Sequence, residues 1–340
     1  MHLLITGGTG TFGQAFVRRV LDDPAVTRVR VLSRDELKQA EMAERFRPVD
    51  PHGKLRFLLG DVRDRNRLLL AFQDVELVVH AAALKRVDAV AYDPEEVVKT
   101  NVLGTMNVLD AAIRACVSRV VVISSDKAVM PTNIYGASKF MAESYAISAN
   151  VYGAPRGVRS CAVRYGNVLG SRGSVVHRWR RQWSAGDPLT LTDPRCTRFI
   201  MPLETAVDLV LDAARTMEGG EVFVPQLRAA HLMDLAIAVA GPYWPRHVVG
   251  LRPGGEKIHE TLLSPEESVR TVARQGVYLL RPALHPWRAT FDAGRPGGDG
   301  GAWPPTSWRR LEDGFLYTSE SAPKASVEEL RDLLAKVPDA

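Results

Sequence analysis

The sequence predicts an α/β protein: a doubly wound parallel sheet with helices on both faces, followed by a smaller C-terminal substrate-binding region. Three observations predict it. Short apolar segments alternate with amphipathic ones five times before residue 125, and that alternation marks a parallel sheet covered on both sides. A glycine-rich turn, Gly7-Gly8-Thr9-Gly10-Thr11-Phe12-Gly13, joins the first strand to the first helix. Small or polar residues then collect at the strand ends, and open α/β sheets bind their ligands outside the carboxyl ends of their strands.

Residues 2–6 read as a buried strand, with an apolar-periodic helix from about residue 12 to 21. Gly7, Gly10 and Gly13 let the backbone turn tightly and approach a pyrophosphate on that helix's N-terminus. Thr9, Thr11 and Phe12 complete this cofactor turn. The second strand, Arg28–Leu32, runs into Ser33-Arg34-Asp35-Glu36. An acidic residue here favours NAD, whereas an arginine can hold a 2′-phosphate. Ser33 is small and Arg34 follows it, so NADP is the expected cofactor, with NAD possible. Asp35 and Glu36 suit a helix first turn, where negative charge is stabilised.

A third strand, Leu55–Leu59, leads to Gly60-Asp61-Val62. Asp61 either accepts from an adenine amino group or caps a helix near residues 63–72. A fourth strand, Leu77–His80, ends at Ala81-Ala82-Ala83, small enough for a cofactor to lie against the sheet edge. His80 reads as structural. Lys85 follows the alanine turn on the cofactor side, and Asn101 stands near the start of a helix expected over residues 95–116; both are candidate cofactor contacts.

The densest chemistry follows the fifth strand, residues 119–124. Ser125-Asp126-Lys127 is succeeded eight residues later by Tyr135-x-x-x-Lys139. Tyr135 and Lys139, four apart, share a helix face. A nearby ammonium favours phenolate, which makes tyrosine a usable base. That pair alone suggests redox chemistry at an alcohol carbon. Asp126 and Lys127 add a second acid/base couple that simple alcohol oxidation does not need, so a reaction with both redox and proton-transfer steps is expected.

Composition agrees with a globular protein. The 340 residues can bury a large core, and 46% hydrophobic with 24% charged residues is ordinary for a soluble chain. No apolar run approaches membrane-spanning length, and the chain opens directly on a fold strand, so no signal peptide and a cytoplasmic protein are expected. Three scattered cysteines make no metal spacing and suit a reducing compartment. The net charge is +5, yet no basic run resembles a nucleic-acid arm. Arg178, Arg180 and Arg181 with Trp179 and Trp183 read as a surface or subunit-contact helix face. The other arginines of the second half fit an anionic small substrate, which they can grip bidentately.

Across most of residues 1–262 the chain resembles the extended short-chain dehydrogenase/reductases, whose fold is Rossmann-type. More narrowly, it is similar to the soluble UDP-N-acetylglucosamine 4,6-dehydratases that invert C-5 of the sugar. The stretches that carry the likeness are TGGTGTFG (6–13), SRDELKQ (33–39), GDVRD (60–64), HAAALKRV (80–87), KTNVLGTMNVLDAA (99–112), SSDKAVMPTNIYGASK (124–139), VRYGNVLGSRGSV (163–175), TRF (197–199) and RPGGEKIHETL (252–262). SVEELRDLL (326–334) matches the family's C-terminal helix. Four departures fall on the sugar-nucleotide side: Ser125 where the family has threonine, a second glycine at 254–255, Cys196 for methionine and His177 for proline.

The resemblance implies a mechanism. Tyr135, assisted by Lys139, takes the O-4 proton while C-4 gives hydride to NADP⁺. Lys127, as a neutral amine lowered by burial, removes the C-5 hydrogen. Asp126, kept protonated, protonates the departing C-6 hydroxyl, and the hydride returns to C-6. It also implies a UDP-sugar substrate, a homo-oligomer, and Asn167, Arg172, Arg198, Arg252 and Glu256 as substrate contacts, with Lys85 shared between substrate and cofactor. A nucleotide-sugar 5,6-dehydratase, a 4-epimerase and an NADP-binding regulatory protein are the alternatives.

The expected organisation is a cofactor domain over residues 1–165, to whose sheet later segments add. A mainly substrate-binding region follows over 166–290, and a loop and C-terminal helix over 291–340. Within the second region, helices are expected over 199–219 and 231–240 and a strand at 220–225. Residues 291–307, rich in glycine, proline and tryptophan, read as loop.

Overall fold

The computed structural model describes residues 1–87, 91–283 and 308–338; the glycine- and proline-rich stretch 291–307 lies outside them. Its first six strands are β1 (His2–Thr6), β2 (Arg28–Ser33), β3 (Leu55–Leu59), β4 (Leu77–His80), β5 (Arg119–Ile123) and β6 (Arg159–Val163). They pair in parallel in the order β3-β2-β1-β4-β5-β6, which is the Rossmann order with its switch point between β1 and β4.

Alternation of side chains across the strands builds a core on each face. Leu3, Ile5, Val29, Val31, Val79 and Val121 enter one core, which the helices Thr11–Leu21, Glu36–Phe46 and Leu203–Thr216 cover. Leu4, Val78, Val120 and Val122 enter the other, under the helices Arg65–Ala71, Gly104–Arg114 and Ile134–Ser148. Buried on both sides, the central strands are apolar except at their ends, where Thr6 and His80 stand.

The later chain contributes β7 (Asn167–Val168), β8 (Leu189–Leu191), β9 (Thr197–Met201), β10 (Val222–Pro225), β11 (Arg228–His231), β12 (Arg246–Val248), β13 (Thr261–Leu263), β14 (Thr271–Arg274), β15 (Val277–Leu280), β16 (Arg309–Arg310) and β17 (Tyr317–Thr318). Strand β10 joins the main sheet parallel to β6, and β15, β14 and β16 extend it antiparallel. Small sheets β11-β9-β7, β12-β8 and β13-β17 stand beside it. Trp179, Leu189, Leu232 and Leu330 are among the residues of a third core that ties the C-terminal helix Val327–Ala335 to this region.

Four expectations shift. Residues 199–219 are not one helix: Phe199 lies on the fully buried strand β9, and the helix begins at Leu203 after Pro202. The helix near residues 63–72 is capped by Asp64, whose carboxylate accepts from the Arg67 amide, so Asp61 is not its cap. The helix expected over 95–116 contains a wider π-type stretch, Val98–Leu103. In the arginine-rich helix Val175–Ala185, Trp179 is core and donates to the Thr190 carbonyl. Arg180 there donates to carbonyls of Leu334 and Val337, closing the C-terminal helix.

Candidate active site

The glycine turn and the alanine loop meet across the switch point. Gly7 has φ +68°, and a Cβ there would stand 2.8 Å from Ala82 Cα; at Gly13 it would stand 2.4 Å from Gly8 Cα. Gly10 is the residue before the helix Thr11–Leu21, with no side chain over the helix's free amides. A cleft of about 550 Å³ opens here, lined by Gly7, Thr9, Ser33, Arg34, Asp61, Val62, Ala82 and Ala83, among others. Bare backbone at a helix N-terminus beside this cleft fits a dinucleotide pyrophosphate. The Arg172 amide donates to Thr11 Oγ1 at 3.0 Å, which ties the segment after β7 to the turn. Phe12 packs beneath it against Phe16 and Tyr165.

At the far end of the cleft, Ser33 Oγ accepts from Gln39 Nε2 at 3.0 Å. Asp35 caps the next helix by accepting from the Lys38 amide, as its position suggested. Arg34 is half exposed, with Nη1 3.6 Å from Asp61 Oδ2. Burial works against ionised Asp61, but hydrogen bonds from Arg63 at 2.7 and 3.0 Å outweigh it and hold the carboxyl below its ordinary range. Arg63 also reaches Glu96. Among these charged groups, Arg34 and Lys38 are the cations that line the cleft, and Lys38 is paired with Asp35.

The alanine loop is fastened from behind. Asn101, buried, accepts from the Leu84 amide and donates to the Leu84 carbonyl and Ser138 Oγ. Its amide is spent on loop and helix, so it shapes the cleft through them. His80 sits between Thr6 Oγ1 at 2.7 Å and Thr105 Oγ1 at 3.0 Å. Burial pushes its pKa down to about 3; it is a neutral structural histidine, as expected. Ala81 and Ala82 amides bond Thr6. Lys85 stands exposed just after the loop.

The acid/base cluster forms where β5 ends. Ser125 caps the short helical turn Asp126–Ala128. Its Oγ donates to Asp126 Oδ1 at 2.9 Å and stands beside the Tyr135 phenol. Asp126 is wholly buried, and its Oδ2 has no hydrogen-bond partner. Lys127 Nζ lies 3.0 Å from Asp126 Oδ1. Asn133 caps the helix Ile134–Ser148, which delivers Tyr135 and Lys139 one turn apart. All five residues that the sequence singled out for catalysis are brought together.

Their electrostatics differ from expectation at two points. Burial does depress the Lys127 ammonium, but the carboxylates of Asp126 and Glu260 beside it win, and its pKa is raised. Lys127 is therefore an ammonium in this state, not the neutral amine expected. Lys139 does not hold Tyr135 as phenolate: its Nζ donates to the Ile123 carbonyl at 2.7 Å, burial brings its pKa down to about 8, and burial raises the phenol's. Asp126 behaves as expected: burial and the charge of Glu260 raise it against the pull of Lys127.

Glu260 is the residue that sequence reasoning missed. It is 2% exposed, with Oε1 3.2 Å from Lys127 Nζ and Oε2 3.9 Å from Lys257 Nζ. It lies within the motif at 252–262, just before the buried strand β13 (Thr261–Leu263), and an acid leading straight into Thr-Leu-Leu is the signal that could have found it.

On the substrate side, three expected contacts form one knot. Glu256 Oε1 accepts from Arg198 at 2.7 Å and from Arg252 at 2.8 Å, and Oε2 accepts from the Arg252 amide. Burial opposes its charge, but the two arginines pull its pKa to about 2. Arg198 is buried and also donates to the Thr197 and Ile258 carbonyls, so it organises the wall, while the more open Arg252 keeps a face toward solvent. The Gly255 carbonyl accepts from Thr132 Oγ1 and Asn133 Nδ2, which docks the lengthened loop onto the catalytic helix's cap. Asn167 on β7 and Arg172 beyond it are exposed.

Among the described residues there is no cluster of metal-ligating side chains, and no helix is long and apolar enough to cross a membrane. Residues 3–282 match the family model described as polysaccharide biosynthesis protein. A UDP-N-acetylglucosamine 4,6-dehydratase (inverting) of Campylobacter jejuni is 37% identical over 98% of this chain and 97% of its own. A UDP-glucose 4-epimerase of Rickettsia typhi is 41% identical over 82% of each. The X-ray structure of Pen from Bacillus thuringiensis superposes with a TM-score of 0.86 and 34% identity, covering 98% of both chains. DesIV, a dTDP-glucose 4,6-dehydratase from Streptomyces venezuelae solved with NAD bound, gives 0.66 at 25% identity over 75% of this chain and 86% of its own.

Proposed function

Since the chain belongs to the polysaccharide biosynthesis protein family, we propose that it is a nucleotide-sugar dehydratase. The substrate is UDP-N-acetylglucosamine or a close relative. It is converted to the 4-keto-6-deoxy sugar with inversion at C-5. One observation carries this reading: an acid and an amine, Asp126 and Lys127, stand in contact with each other beside Ser125 and the Tyr135 hydroxyl. A 4-epimerase needs only the tyrosine and lysine.

The glycine turn, the alanine loop and the Arg34 end of the cleft would hold NADP, and when bound the nicotinamide supplies reversible acceptance of a hydride. Arg34 at the cleft favours NADP; Asp35 and Glu36 beside it are the acids that would suit NAD. Tyr135, in its ionised form, is placed to receive the O-4 proton, with Lys139 one turn on along the same helix. Asp126, held protonated, is the donor for the departing C-6 hydroxyl. Lys127 takes the C-5 proton as it passes its own to Asp126, which has given its proton to the departing hydroxyl. Over the cycle the cluster gains one proton from O-4 and one from C-5, and yields one to the departing hydroxyl as water and one back to C-5 on its opposite face, so it ends as it began. Arg252 and Arg172 are the diphosphate contacts, with Arg198 and Glu256 fixing Arg252. Asn167 and Lys85 border the sugar. The reading carries with it a homo-oligomer, which sedimentation would measure.

The test is a substrate panel. Loss of one water from UDP-N-acetylglucosamine by mass spectrometry, with UDP-glucose untouched, supports the reading. Interconversion of UDP-glucose and UDP-galactose without loss of mass would replace it with the epimerase.

A further inference from the structure

Two buried carboxylates share one ammonium in this site, and their surroundings are unequal. Glu260 faces three cations: Lys127 at 3.2 Å, Lys257 at 3.9 Å and the buried Arg198 guanidinium. Asp126 faces Lys127 at 3.0 Å, the charge of Lys257 and, against them, the charge of Glu260. Tyr135 is the remaining titratable group that faces the cluster. When two carboxylates crowd one site, the one with fewer cations protonates first. Glu260 Oε2, buried without a hydrogen-bond partner, has the Lys257 ammonium 3.9 Å away, whereas Asp126 Oδ2, buried likewise, belongs to a carboxylate in no ion pair besides that with Lys127 among the described residues. An ionised oxygen left so would be costly, whereas a protonated one is an acid poised for a ligand.

We propose that Glu260 is a positioning residue for the acid/base pair: its carboxylate shares the Lys127 ammonium and, as the anion of the two, leaves the proton on Asp126. This rests on the dehydratase reading above. Glu260 acts through its neighbours and has no step of its own. Lys257 is the counterweight: Nζ donates to the Val129 carbonyl at 2.6 Å, which pins a cation beside Glu260 from the segment next to the catalytic helix.

The test is the pH dependence of dehydration by the full-length protein with NADP and UDP-N-acetylglucosamine. Glu260→Gln removes an anion, so both Asp126 and Lys127 lose protons more easily. Both limbs of the kcat profile should move about one unit to lower pH. At pH 7 kcat should fall at least about tenfold as the acid is lost, with KM changed less than about threefold. Glu260→Asp should restore part of kcat and return the limbs toward wild type. Lys257→Met removes a cation, so its limbs should move the opposite way, and it carries the test if Glu260→Gln does not fold. Limbs that stay in place in a folded variant, or a change confined to KM, would overturn the proposal. Wild-type protein that dehydrates no nucleotide sugar would instead sink the reading beneath it.

Discussion

The Lys127 ammonium lies 3.0 Å from the Oδ1 of its chain neighbour Asp126, and neither group is free to titrate alone. Burial pushes the carboxyl up and the ammonium down, and each partner pushes back. An amine in such a site is an ammonium until a neighbour accepts its proton. Lys127→Ala should lower turnover by about 10²–10⁴-fold, the usual worth of a general base. NADP binding, followed by fluorescence, should stay within twofold because Lys127 lies outside the cleft that Arg34 lines. Normal turnover in this variant would remove Lys127 from the mechanism.

Arg34 should read the cofactor's 2′-phosphate. A charge-assisted hydrogen bond of about 1.5–3 kcal/mol corresponds to about 10–100-fold in affinity. Arg34→Ala should weaken NADP by that factor and NAD by less than about threefold, measured by calorimetry. Equal losses would mean that the arginine serves only Asp61.

Arg164 fastens the catalytic helix to the substrate wall. Its Nε and Nη2 grip Glu143 at 2.9 and 2.6 Å, and its other donors take both oxygens of Glu267 and the Leu262 carbonyl. Glu143 is one turn beyond Lys139 on the same helix. Arg164→Ala leaves two carboxylates without their cation and should cost about 3–5 kcal/mol in denaturant unfolding. Arg164→Lys should recover little of it, since an ammonium cannot fork to both.

Glu256 should contribute stability that depends on pH. Its pKa is depressed from 4.5 to about 2 by Arg252 and Arg198. That contribution is complete above the unfolded value near 4.5 and is lost as pH falls toward about 2. It amounts to on the order of 3 kcal/mol. The stability gap between wild type and Glu256→Gln should therefore be flat from pH 5.5 to 7 and narrower at pH 3.5. A gap independent of pH would show that the carboxylate's charge does not matter there.

Much of this was legible in the chain itself. The parallel sheet follows from strands such as Leu77–His80 and Arg119–Ile123, apolar on both faces. The glycine turn and the Ser125–Lys139 segment are local in sequence, so their chemistry could be read without a fold. What could not be read is what arrives from far along the chain. Glu260 meets Lys127 through Oε1 from 133 residues away, and together with Asp126 it favours the ammonium over the neutral amine expected. Lys139 likewise finds the Ile123 carbonyl, where helix spacing alone had paired it with Tyr135. Phe199 was drawn into a helix by apolar neighbours, yet it pairs with β11 in a strand that only tertiary structure reveals.

The most direct measurement is proton NMR of UDP-N-acetylglucosamine turned over in D₂O with NADP present. A 4-keto-6-deoxy product carrying deuterium at C-5, with ring couplings of the inverted sugar, is the expected result. A product that keeps its C-5 proton and its C-6 hydroxyl, altered only at C-4, would contradict the account.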